Sequence, residues 1–129
     1  MTKFLATPLA MTQDFFRTNA GYGEVGTPQD YVERQTIEVE AQSLRFAAEE
    51  TWKVFQNIDE NRLCPDGGRS LMVGDIIRLR NCDDETETLM RVASFGFEEI
   101  RSLKTIFPRA VEAMQNPDLT YEDIVADDD

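Results

Sequence analysis

The side chains that most often do chemistry are sparse in this chain. Histidine is absent, which removes the usual general base at neutral pH and the commonest metal ligand. No Ser-His or Cys-His pair can therefore form. The two cysteines, Cys64 and Cys82, are too few for a disulfide framework, and their spacing fits no zinc pattern; both read as reduced thiols. Adjacent carboxylates occur at Glu49-Glu50, Asp83-Asp84 and Glu98-Glu99, but neighbours in sequence rarely face one pocket. Gly-rich phosphate loops are missing, and "DENRLCPDGG" lacks the residue order of a calcium-binding loop. These residues predict no catalytic site, no metal and no cofactor, hence a protein that is not an enzyme.

What the chain has in excess is negative charge. Its 129 residues hold 25 acids against 13 bases, for a net charge of −12 and a pI near 4.3. Such a balance repels nucleic acid and anionic membranes and attracts basic protein surfaces. Asp83, Asp84, Glu85 and Glu87 are expected to crown a hairpin loop. Glu98 and Glu99 follow the second strand, and three aspartates end the chain. Carboxylates spaced along a surface can stand in for the phosphates of a polynucleotide; solubility is the simpler use. A competing surface consists of Arg78, Arg80 and Arg91 with Phe95 and Phe97. Cations beside exposed rings suit single-stranded nucleic acid, whereas arginines beside acids can simply pair with them.

Both candidate surfaces need the same scaffold. In "DIIRLR" (75–80), Ile76, Arg78 and Arg80 share one face, and Ile77 and Leu79 the other. With "TLMRVASF" (88–95), this predicts an antiparallel hairpin joined by the acidic segment. The Gly74-Asp75 pair gives a square entry to the first strand. Around Gly96, two aromatics are expected to pack as the strand bends. Ser43 can cap a helix over about 43–57, whose stripe includes Leu44, Ala47, Ala48, Thr51, Trp52 and Phe55. "TIEVEA" (36–41) alternates as a half-buried strand, with one long helix over 28–57 as the alternative. Thr27-Pro28 begins a short helix to about 34. Residues 1–27 read as an extended or irregular start. Helices are expected at 108–116 and from Thr120, before an acidic tail at 126–129.

The resulting expectation is a single α+β domain over 1–129. A small antiparallel sheet centred on the 75–80/88–95 hairpin packs on the 43–57 helix through Trp52 and Phe55, and short C-terminal helices close one edge. No apolar run approaches the roughly 20 residues of a membrane span. Asp14 and Arg17 interrupt the N-terminal apolar stretch before a secretion signal can form, so the expected location is the cytoplasm.

"RSLMVGDIIRL" followed by "ASFGFEEI" resembles the YodL-like domain over about residues 50–100. Arg69, Ser70, Leu71, Val73, Gly74 and Asp75 match the first half of its signature, and Ser94, Phe95, Gly96 and Phe97 the second. Met72 stands where serine is usual. Phe55, Asn57 and Ile58 resemble the segment that precedes the signature. The resemblance implies genomic company with phages, plasmids and conjugative elements rather than a reaction. Together with the charge, it predicts a small accessory protein of a mobile element. Its partner would be a host protein with a basic surface, such as a nucleoprotein defence complex of the restriction or CRISPR type. No direct nucleic-acid ligand is expected, and the oligomeric state stays open.

Overall fold

The computed structural model describes residues 1–19 and 25–103. Six antiparallel strands form one sheet: β1 (Thr2–Met11), β2 (Tyr31–Glu33), β3 (Ile37–Ala41), β4 (Ile76–Asn81), β5 (Glu87–Val92) and β6 (Phe97–Ile100). Two α-helices accompany them, α1 (Gln13–Asn19) and α2 (Leu44–Val54). The architecture is α+β, dominated by the sheet. The expected C-terminal helices and the acidic tail lie outside the described residues.

The longest strand is β1, an interior strand formed by the segment whose sequence reads as an extended or irregular start. It pairs with β4 along one side and with both β2 and β3 along the other. Every residue from Ala6 to Met11 is buried, so the strand lacks the alternation that marks a half-buried one. Pro8 lies within it and has no N–H to donate. Opposite Pro8 the outer strand is interrupted: Ala6 pairs with Ile37 and Leu9 with Glu33, so three residues, 34–36, span the two at 7 and 8. This one-residue excess is a bulge, and it shifts the alternation so that Ile37 and Val39 face the helix side with Ala6 and Phe4. The short helix expected over 28–34 is therefore only a 3-10 turn, Pro28–Asp30, followed directly by β2. "TIEVEA" is a strand, which rules out one long helix over 28–57.

Helix α2 starts where Ser43 predicts, its hydroxyl accepting from the Phe46 amide at 3.3 Å. It lies over β1, β3 and β4, and Ala47, Ala48 and Thr51 form its buried stripe. Small side chains there let the helix axis approach the sheet closely. Phe55, just past the helix, is fully buried among Leu71, Ile77, Leu79 and other core residues. Trp52, expected in the same contact, remains 37% exposed. With Ala47, Ala48 and Thr51 turned to the sheet, position 52 falls to the side of the stripe.

The opposite sheet face has a smaller core of Leu9, Met11, Tyr31 and Ile76, flanked by Phe15, Val25, Leu89, Ile100 and Leu103. The hairpin is close to expectation, with β4 over 76–81 and β5 ending at Val92. Ser94 and Phe95 lie in the turn between β5 and β6 rather than in the strand. The chain then continues as an edge strand, β6. Among the described residues, no helix is long and apolar enough to cross a membrane.

Candidate functional site

The acidic segment is the β4–β5 connection, and its backbone is tied at several points. Asn81 donates its amide to the Thr86 carbonyl at 2.9 Å, and Glu85 donates to the Asn81 carbonyl at 2.8 Å. The Asn81 side-chain oxygen accepts from the Asp83 amide at 2.8 Å. Asp84 Oδ1 accepts from the Thr86 amide at 3.0 Å and from its hydroxyl at 2.7 Å. The amide bond from Thr86, then its hydroxyl, holds the Asp84 carboxyl below the ordinary carboxylate range. Glu85 adopts φ 63°, a left-handed conformation uncommon for a non-glycine residue. At the base of the loop, Cys82 donates its amide to the Lys3 carbonyl of β1 at 3.0 Å.

All of Asp83, Asp84, Glu85 and Glu87 are exposed. Glu85 pairs with Arg80 at 3.3 Å. Asp83, Asp84 and Glu87 join none of the ion pairs among the described residues. These four acids thus form one group at one end of the sheet. Glu98 and Glu99 do not belong to it. As successive residues of β6 they point to opposite faces. Glu98 is the register partner of Arg91, four residues along β5 from Glu87, or about 13 Å at the usual strand rise.

The arginines of the competing surface do share a face. Arg78 and Arg80 alternate with the buried Ile77 and Leu79, and Arg91 pairs in register with Ile76. Each arginine is met by an acid: Arg78 by Glu33 at 2.8 Å, Arg80 by Glu85, and Arg91 by Glu98 at 3.9 Å. Arg91 is also buried beside the smaller core, with Nε lacking a hydrogen-bond partner. Phe97 turns the other way, towards the helix-side core. Phe95, expected to pack with it around Gly96, is 97% exposed at the turn. Arginines and rings therefore form no common surface.

The residues that carry the family resemblance interlock in a different place. Asp75 is fully buried and accepts four hydrogen bonds. They come from the amides of Met11 and Met72, both at 2.9 Å, and from Arg69 Nη1 and Nη2 at 2.7 and 2.8 Å. Gly74 has φ 100°, and a Cβ there would lie 2.8 Å from Met11 Cε. Leu71 donates its amide to the Phe55 carbonyl at 3.0 Å. Asn57 donates its own amide to Ser70 Oγ at 2.8 Å and its side-chain amide to the Gly68 carbonyl at 2.9 Å, while its side-chain oxygen accepts from the Cys64 amide at 2.7 Å. The motif builds the loop that feeds β4.

One residue of this interlock has no signal in the sequence. Arg34, next to Glu33 and therefore on the helix-side face, makes a two-pronged contact with Asp66 at 2.6 and 2.9 Å. It also donates to the Arg69 carbonyl at 2.7 Å and lies over the Phe55 ring, 5.0 Å from its centroid. The Arg34 guanidinium, with added amide bonds from Gly68 and Gln35, holds the Asp66 carboxyl far below its ordinary range. Both cysteines are free, Cys64 buried and Cys82 exposed. Among the described residues, no cluster of three or more acids or thiols is arranged to hold a metal ion.

No family model, curated protein or solved structure matches this chain.

Proposed function

We propose that this chain is a small acidic binding protein that acts by occlusion rather than turnover. Its contact is the β4–β5 loop, where Asp83, Asp84, Glu85 and Glu87 take the place of phosphates in a basic groove of a partner protein. One observation carries the reading: three of these four exposed carboxylates have no cation within ion-pair distance among the described residues, on a loop whose backbone is tied by its own amides. Like charges grouped in this way oppose folding. A preformed loop also spares part of the ordering cost of binding. Glu98 and Glu99 would be peripheral, since they point to opposite faces.

The resemblance to YodL-like domains of phages and plasmids points to a host defence protein as partner, met in the cytoplasm. The proposed partner is a nucleoprotein complex of the restriction or CRISPR type, whose nucleic-acid groove would be the basic surface that the loop enters. Direct binding of nucleic acid through Arg78, Arg80, Arg91, Phe95 and Phe97 is the weaker reading, because acids meet the arginines and Phe97 faces away from them.

The test is capture from a host lysate with the wild type and with the D83N/D84N/E85Q/E87Q variant, at low and high salt. Each protein retained by the wild type alone is then assayed for binding to its own nucleic acid as the acidic chain is added. The expected result is salt-sensitive capture, lost in the variant, of a protein whose nucleic acid is displaced. Equal capture by wild type and variant would refute the site.

A further inference from the structure

On the helix side of the sheet a groove of about 560 Å³ runs between α2 and the β5–β6 hairpin. Its apolar lining includes Trp52, Met72, Val92 and Phe97, and Arg45 and Glu49 stand on α2 at its rim. At its lip is Phe95, 97% exposed, between two groove-lining residues, Ser94 and Gly96. The turn that carries Phe95 is closed by one backbone bond, the Ala93 amide donating to the Gly96 carbonyl at 3.0 Å; Gly96 adopts φ 78°, and the half-buried Phe97 packs against the core. An apolar knob and an apolar socket of matching character therefore lie on the same few residues.

We propose that two copies of this chain associate about a two-fold axis, Phe95 of each entering the groove of the other. A two-fold interface must be self-complementary. Knob and socket so close together can both engage about one axis. The rim supplies charge that can be shared: Arg45 makes no ion pair among the described residues, and antiparallel α2 helices would set it opposite Glu49 of the partner subunit, a surface carboxylate that Lys53 of its own chain meets only at 3.7 Å. Two aromatic knobs with their sockets make a small contact, at the transient end of specific interfaces.

The net charge of −12 on each copy opposes this contact, and salt screens that repulsion. Self-association should therefore strengthen with added salt, whereas docking through Asp83–Glu87 weakens. The two ideas thus fail separately.

Sedimentation equilibrium of the full chain, from roughly 5 to 500 μM at low and high salt, tests the proposal. Trp52 is the only tryptophan, so its emission reports the groove. The expected result is a salt-promoted dimer, with Trp52 emission shifted to the blue and less open to acrylamide quenching as concentration rises. Phe95→Ser should weaken association roughly 30-fold, the effect of losing an interface anchor. It should not lower the melting temperature, because the ring is outside the core. Met72→Glu should weaken it from the socket side. A chain that stays monomeric over the whole range at high salt would overturn the proposal, as would a dimer that survives both substitutions.

Discussion

Arg69 and Asp75 face each other in a two-pronged ion pair, Nη1 to Oδ2 at 2.7 Å and Nη2 to Oδ1 at 2.8 Å. The aspartate is fully buried, while the arginine side chain is 39% exposed. The pair closes the loop from 69 to 75, and the Asp75 bond to the Met11 amide ties that loop to the end of β1. Removing Arg69 would leave a buried carboxylate with only two amide donors. Arg69→Ala should therefore destabilise the fold by about 3 kcal/mol, the scale of breaking a buried pair from one side. Arg69→Lys should recover only part of this, since a point charge cannot make both bonds. Urea unfolding of the three proteins measures the difference.

The two glycines of the resemblance should respond differently to alanine. Both have positive φ, 100° at Gly74 and 78° at Gly96, but only Gly74 has a neighbour in the way, the Met11 side chain. Gly96→Ala should cost about 1 kcal/mol of backbone strain. Gly74→Ala should cost somewhat more, about 1–2 kcal/mol, because the overlap falls on the flexible end of the Met11 side chain, which can shift. Thermal melts of both variants, checked against urea midpoints, give the comparison.

The Arg34–Asp66 pair makes stability depend on acid pH. The folded carboxyl titrates far below its ordinary value of 3.8. Its contribution is complete above that value and is lost as the pH falls below about 4 towards the depressed folded value. Asp66→Asn removes this dependence. Between pH 5 and pH 3, the urea midpoint of the wild type should fall further than that of the variant. Parallel falls would mean that the pair does not contribute.

Neutralising the acidic loop should leave the fold intact. D83N, D84N, E85Q and E87Q are surface changes, each within about 0.5 kcal/mol. They relieve like-charge repulsion, and the amide oxygen introduced by D84N keeps an acceptor for Thr86. The melting temperature should hold or rise, while salt-sensitive binding to a basic partner disappears. A collapse of the fold would show the loop to be structural. Calorimetry of the wild type and the quadruple variant decides.

Period and capping made much of the scaffold legible in the sequence. Ile76 to Arg80 alternate because one edge of that pattern meets each face of the sheet. "TIEVEA" alternates because its acids face water. Ser43 marks the start of α2 because a helix end needs an acceptor for its free amides. The exposure of Asp83–Glu87 followed from the same reasoning, since a charged segment between two strands has nowhere to bury.

Tertiary structure alone decided the rest. Thr2–Met11 is an interior strand, yet burial on both faces erases its alternation and Pro8 argues against an interior position. Only the bulge opposite Pro8 makes that position tolerable, and a bulge depends on the partner strand. Arg34 stands among residues that favour helix, and it meets Asp66 and Phe55 only because the fold brings these distant positions beside it. Trp52 and Phe55 share one apolar stripe, but the small residues between helix and sheet determine which of them is buried. Local rules act within a few residues and are written in the chain. Which strand lies in the middle, and what each face meets, depends on contacts between segments far apart in sequence.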